Sequence, residues 1–140
     1  MVILGRGFNF STANEVALKV TETSYVLAEA HSWVDFRHGP AAMLEPGLVV
    51  VLVAPSGLVL DDVGPLLDLI AARGAHAVVI SDRADLLARA HTALPIPEVP
   101  EWLSPIVAVI PGQRLALALA QARGIDPDAP RGLTKVTETC

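Results

Sequence analysis

The segment LVVVLVA at residues 48–54 constrains this chain more than any other. It holds four valines, and Pro55 and Gly57 stop it. A strand with one wet face alternates apolar and polar residues. A continuous β-branched run instead marks a strand covered on both faces, as in a parallel sheet. HAVVIS at 76–81 repeats the pattern, and VIL at 2–4, ending at Gly5, is a shorter example. Such strands need helices above and below them, and the intervening segments supply the pattern. The spacing predicts helices over 11–29, with Ser11 or Thr12 as the cap, and over 62–73, ending at Gly74. A short helix is expected at about 83–91 and a long one at 105–123. Pro105 falls in the first turn of the long helix, Pro111 is a candidate kink, and Gly124 ends it. ALPIPEV at 93–99 is broken by proline and fits only a sheet edge. The expected fold is an α/β three-layer α/β/α sandwich with an open sheet of at least four parallel strands. Ligands in such sheets collect at the carboxyl ends of the strands, so the turn after Leu4 and the tip after Ala54 should share an edge.

Composition narrows the function classes. The 140 residues suit a single domain over 1–140, closed by a polar, irregular tail at 125–140. The chain is 52% hydrophobic, with a mean hydropathy of +0.50, so part of its apolar surface is expected to be buried against another chain or domain. No apolar run approaches the roughly 20 residues of a membrane helix, and MVILGRGF lacks the pattern of a signal peptide. A membrane partner is therefore not expected. The single cysteine, Cys140, permits no internal disulfide. A reducing, cytoplasmic setting follows as the default, with no metal and no cofactor expected. Net charge is −5 and the basic residues are scattered, which argues against a nucleic-acid partner. The opening directly on a strand suggests part of a longer polypeptide.

Several residues carry candidate chemistry. On a helix through 29, Glu15, Lys19, Glu22 and Glu29 lie within roughly 80° of one another. Val16, Val20, Leu27, Ala13, Ala17 and Ala28 gather on the other side. The charged face reads either as a solvated surface with a Glu15–Lys19 pair, or as a carboxylate base beside a lysine. LGRG between strand and helix reads either as a tight turn or as an anion cradle. It lacks a third glycine and a P-loop lysine. Ser11 and Thr12 either hold a phosphate or cap the helix. Of the histidines, His76 and His91 fit structural roles, and His31 and His38 flank a turn. His38, in DFRHGP at 35–40, is displayed on a loop where reactive side chains are common. Lys135, in PRGLTK, is a lone lysine in a polar tail.

Together LGRG, ANEVALKVTETSYVLAEA, FRHGP, VVVLVAP and PRGLTK, in this order, resemble the sugar isomerase (SIS) domain. They are most similar to the second of the two SIS halves in glucosamine–fructose-6-phosphate aminotransferases and their relatives. The resemblance implies a five-stranded parallel sheet close to flavodoxin topology, and ketose–aldose isomerisation of phosphosugars such as fructose 6-phosphate and glucosamine 6-phosphate. By motif, Glu22 matches the carboxylate that moves a proton between the first two sugar carbons, and Lys19 matches the lysine that assists it. His38 matches a ring-opening histidine delivered from the neighbouring subunit, which implies a homodimer. Lys135 matches the tail lysine that forms a Schiff base, and Glu15 a carboxylate that organises the site. The family's amidotransferase domain and its first SIS half, which carries a Ser/Thr-rich phosphate loop, have no counterpart in these residues. Two further functions are compatible with the resemblance: half of an amino-sugar-phosphate deaminase, and a phosphosugar sensor without turnover.

Overall fold

The computed structural model describes residues 1–129 and Arg131. The apolar runs form the parallel strands β1 (Val2–Gly5), β3 (Val49–Val53) and β4 (His76–Ser81). Two edge strands complete the sheet, β2 (Glu29–Ser32) and β5 (Thr92–Pro95). The five strands are all parallel, in the order β2-β1-β3-β4-β5. Leu4 pairs in register with Leu52, so the turn after β1 and the tip after β3 do share an edge. This is the open parallel sheet expected from the strand patterns, in the flavodoxin-like order that the resemblance implies.

Helices cover both faces. On one side lie α1 (Asn9–Ser24) and α5 (Ser104–Ala122), over a core that includes Ile3, Val16, Val20, Val51 and Ile80. On the other lie α2 (Trp33–Arg37), α3 (Val63–Ala72) and the single turn α4 (Ala84–Leu87). There Trp33, Phe36, Leu52, Leu66 and Ile70 are buried together. The side chains of β3 point alternately into these two cores, which is why the strand carries no polar residue.

Helix α5 meets α1 through small residues. Its buried positions are Ser104, Ala108, Gly112, Ala116 and Ala120, one every fourth residue. A β-carbon on Gly112 would strike the fully buried Val16 side chain. The outer side of α5 is apolar and exposed, with Ile106 at 64% and Ile110 at 54%, and Trp102, in the 3₁₀ turn Glu101–Leu103 just ahead of it, is 65% exposed. An 18-residue window within Glu101–Ala122 averages a hydropathy of 1.5, so by length and composition this segment is apolar enough to cross a membrane. The absence of such a segment, expected from the sequence, is corrected here. Gln113 and Arg114 interrupt the run without lowering its mean below that level. In the fold the helix lies along α1 as a covering layer.

Three further expectations are corrected. The first helix starts at Asn9 and ends at Ser24, so it does not run over 11–29. Ser11 and Thr12 lie in its first turn and do not cap it. Tyr25 terminates it in the left-handed region, with φ 55°. Residues 29–32 are therefore a strand, and Glu29 and Leu27 lie off the helix, with Leu27 74% exposed. The DFRHGP segment is not a bare turn: Asp35–Arg37 close a short helix, and His38 is its C-cap, before a 3₁₀ turn over Pro40–Met43.

Replacing Gly112 by alanine should lower unfolding free energy by about 1–3 kcal/mol, the usual cost of overpacking, although alanine is the better helix former. Urea unfolding followed by circular dichroism tests this. An unchanged or raised midpoint would mean that α1 and α5 are not in the close contact described.

Candidate functional site

Ser11, Glu15, Lys19 and Glu22 fall at spacings of four, four and three along α1, which sets them in one stripe. The stripe borders α5. Gln113 Nε2 donates to Glu15 Oε1 at 3.4 Å, and Ser11 and Glu15 line a shallow apolar groove with Pro105, Ile106 and Val109. Lys19 Nζ donates to Glu22 Oε2 at 2.9 Å, and both side chains are about one-third exposed. The hydrogen bond to Glu22, opposed by partial burial and aided by the charges of Glu22 and Glu15, raises the Lys19 ammonium above its ordinary 10.5. Lys19 therefore stays protonated at neutral pH. It can steady a carboxylate but is a poor nucleophile toward a carbonyl.

The expectation for this pair is a position at the carboxyl ends of the strands or at a subunit interface, and the structure does not put it at the carboxyl ends. Helix α1 starts beyond the carboxyl end of β1 and runs back along it. Its end lies near the start of the sheet, where Glu29 N–H donates to Met1 O at 3.2 Å and the Met1 amino group to Leu27 O at 3.0 Å. Lys19 and Glu22 thus sit on the amino-end half of the α1 face.

His38 lies elsewhere. It is exposed and borders a pocket of about 280 Å³ with Val34, Arg37 and Asp62. Asp62, just ahead of α3, also meets Arg6 Nη1 at 3.2 Å and Arg37 Nη1 at 3.8 Å. Because α2 and α1 cover opposite faces of the sheet, one chain does not bring His38 to Glu22. Lys135 lies outside the described residues. Thr12 also borders the groove of Ser11 and Glu15; it is 3% exposed and its hydroxyl donates to Asn9 Oδ1 at 3.2 Å. Asn9 Nδ2 in turn donates to Ser104 Oγ at 2.7 Å, and Ser104 Oγ to Glu101 O at 2.6 Å. Ser11 Oγ donates to Phe8 O at 2.7 Å.

The carboxyl edge, where the fold would seat an anion, is already furnished with carboxylates. Ser56 N–H donates to Asp82 Oδ1 at 2.7 Å, and Leu58 N–H to Glu101 Oε2 at 3.2 Å. The Glu101 carboxyl fills the space a β-carbon on Gly57 would need. In the LGRG turn, Gly5 is required by packing, since a β-carbon there would strike the Asn9 carbonyl. The tight-turn reading explains that glycine without a ligand. Sequence reasoning missed Asp82 and Glu101, which are ordinary surface acids by spacing. It also missed Tyr25, whose hydroxyl accepts from Arg131 N–H at 2.7 Å. Only the tertiary fold, across 106 residues, joins that pair. Among the described residues no group of three or more His, Cys, Asp or Glu is placed to hold a metal.

Comparison with known proteins places this geometry. Residues 1–123 match the SIS domain family. The glutamine–fructose-6-phosphate aminotransferase (isomerizing) of Thermococcus kodakarensis is 47% identical over 132 residues, 94% of this chain and 22% of that protein. The same enzyme of Thermosynechococcus vestitus is 42% identical over 136 residues, again 22% of its length. The chain thus spans about one-fifth of these relatives. Among solved structures, the C-terminal domain of glucosamine-fructose-6-phosphate aminotransferase from Francisella tularensis superposes with a TM-score of 0.80 at 30% identity, covering 89% of this chain and 36% of that one. Glucosamine-6-phosphate deaminase from Thermotoga maritima gives 0.79 at 30% identity, covering 96% and 39%. The chain belongs to the SIS domain family, and within it is closely related to the C-terminal SIS half of the isomerizing aminotransferases.

Proposed function

We propose that this chain is the second half of a double-SIS protein and carries the proton-transfer end of a phosphosugar isomerase of the glucosamine-6-phosphate synthase type. The observation that carries the reading is the Lys19–Glu22 contact, a carboxylate held at 2.9 Å by a lysine that stays charged. In the proposed reaction Lys135 condenses with the C2 carbonyl of an open-chain ketose phosphate, losing water to form an imine. That cation acidifies C1. Ammonia then displaces the Lys135 amine, leaving a C2 imine of the sugar, and Glu22 takes the C1 proton and returns it to C2 to give a 2-amino aldose phosphate, while Lys19 steadies the carboxylate's charge. Because Lys19 is held as an ammonium, the imine falls to Lys135. His38 from a second copy gives a proton to the ring oxygen as the sugar opens. Its place on the face opposite Glu22 supports a role in trans, and the exposed apolar residues of α5 support association with another chain or half. Glu15 organises the stripe through Gln113. Ser11 and Thr12, which line the same groove, stay in the proposal as substrate contacts. The setting proposed for this chemistry is cytoplasmic, with no cofactor.

A second reading is half of an amino-sugar-phosphate deaminase, supported by the likeness to the Thermotoga maritima enzyme across 96% of this chain. Two incubations separate them: net formation of glucosamine 6-phosphate from fructose 6-phosphate and ammonia marks the synthase type, whereas ammonia release from glucosamine 6-phosphate alone marks the deaminase. Binding with no turnover would mark a sensor.

The chain by itself should show little turnover of fructose 6-phosphate by NMR, because the backbone N–H groups of Ser56 and Leu58 at the tip of β3 are already taken by the Asp82 and Glu101 carboxylates. Placed after a first SIS half, it should become active. There Glu22→Gln and Lys135→Ala should each lower turnover about a hundredfold or more. Full activity of the Glu22→Gln protein would remove Glu22 from the mechanism.

The charge partnership has its own test. Because the folded Lys19 value is raised, the pair contributes its stability in full below the ordinary 10.5 and loses it as pH rises through the folded value. Stability from this pair should therefore be constant across neutral pH. In Glu22→Gln, the Lys19 titration midpoint, followed by ¹⁵N NMR of the ammonium, should move down. An unmoved midpoint would show that Glu22 is not what holds the charge.

A further inference from the structure

We propose that Asp62 is a positioning residue for His38: by binding Arg37 and Arg6 at once, it fixes the turn that presents His38 to the sugar of a neighbouring copy. This inference rests on the role proposed above for His38.

Three segments meet at one carboxylate. Arg6 directly follows β1, in the tight turn where its carbonyl accepts from Asn9 N–H at 3.1 Å. Arg37 ends α2, one residue before His38. Asp62 stands just ahead of α3 and gives each guanidinium its own oxygen, Oδ2 to Arg6 Nη1 at 3.2 Å and Oδ1 to Arg37 Nη1 at 3.8 Å. Its side chain makes no capping hydrogen bond to α3, so the carboxylate is left for these two arginines.

The local geometry ties this group to His38. Val34, Arg37 and His38 are spaced i, i+3 and i+4, and with Asp62 they line one pocket of about 280 Å³. Trp33 and Phe36 are buried and anchor the rest of α2 in the core. The end that carries His38 has less to hold it. Its N–H closes the helix on Asp35 O at 3.1 Å, and no residue of the following 3₁₀ turn, Pro40–Met43, is buried. A helix of five residues is too short to keep its last turn in place by itself. The Asp62 contacts brace that end against the buried strand β1. The three side chains are 36% to 49% exposed, and ion pairs so exposed add little to stability. Their effect is therefore on position.

Ring opening makes position matter. The C2–O5 bond of the cyclic ketose phosphate breaks as O5 takes a proton from His38, and the C2 hydroxyl releases its proton to water as it becomes the carbonyl. The imidazole has to lie within hydrogen-bond reach of O5. It reaches that atom from another copy, so any play in its turn adds to the play of the interface.

The test uses the active dimer with a first SIS half. Asp62→Asn keeps the size and removes the charge. It should lower kcat for fructose 6-phosphate about tenfold with KM within about twofold, and Asp62→Glu should restore most of the loss. The 5-deoxy analogue of fructose 6-phosphate lacks the hydroxyl that closes the furanose ring and stays open. Its turnover should be the same in Asp62→Asn and the parent. Equal losses on both substrates, or no loss on fructose 6-phosphate, would overturn the proposal. If Asp62→Asn fails to fold, Arg37→Gln should show the same split between substrates.

Coexpression with Glu22→Gln subunits separates this inference from the one beneath it. In a mixed dimer the Asp62→Asn subunit keeps its own Glu22 and receives His38 from a partner whose Asp62 is intact. Random pairing makes half the dimers mixed, each with one working site, so about a quarter of the parental activity should return. His38→Ala subunits mixed with Glu22→Gln subunits should recover to a similar level. If they do not, the role of His38 in trans fails and this proposal with it. Recovery there, with none for Asp62→Asn, refutes the positioning alone.

Discussion

The central strand β3 is the element on which the rest of the molecule depends. It is hydrogen-bonded to β1 on one side and β4 on the other, and Val50 through Val53 are fully buried. At about 25 cal/mol per Å² of apolar surface, so complete a burial is worth a few kcal/mol per side chain, but only if both faces are covered. Covering them obliges the chain to cross the sheet repeatedly, with α1 and α5 on one side and α2, α3 and α4 on the other. The crossings in turn assign the chemistry. Glu15, Lys19 and Glu22 belong to the α1 face, and Arg37 and His38 to the opposite one.

The same constraint explains the small-residue seam of α5. Two helices must share one face of a five-stranded sheet, and α1 already presents Val16 and Val20. Gly112 and the alanines of α5 let the second helix lie close enough to seal the layer. Its larger apolar residues, Ile106 and Ile110 among them, are left on the outside. The polar chemistry of α1 therefore runs alongside an apolar strip. That arrangement suits a surface completed by a second folded unit better than one left to water.

Much of this was legible in the sequence. Continuous β-branched runs bounded by glycine, proline or polar residues point to β1, β3 and β4, whereas the similar run IVAVI at 106–110 is helical because it belongs to a much longer segment. β2 was not legible. EAHS has no β-branched residue, and an edge strand half in water needs none; its pairing with β1 comes from position, not from propensity. Reading the helix through to 29 followed from the same cause, because nothing in TSYV announces a left-handed tyrosine. The charged stripe was visible by helical spacing, but its place at the amino end of the sheet was not. That depends on which way α1 runs relative to β1. The Glu101–Leu58 and Tyr25–Arg131 contacts join residues too distant in sequence for any local rule to pair.

The strand order has a consequence for synthesis. The first 32 residues contain β1, α1 and β2, which pair with each other and form a complete parallel unit. Each later strand then adds to an edge already free: β3 to β1, β4 to β3, β5 to β4. No strand has to be inserted between two that are already joined, so the sheet can grow in the order in which the ribosome delivers it. The cover of α1 cannot. The side of Ala13, Val16 and Val20 that α5 seals stays open until Ala122 has emerged. Through most of translation the nascent domain therefore carries a sticky flank on the same helix that bears Lys19 and Glu22.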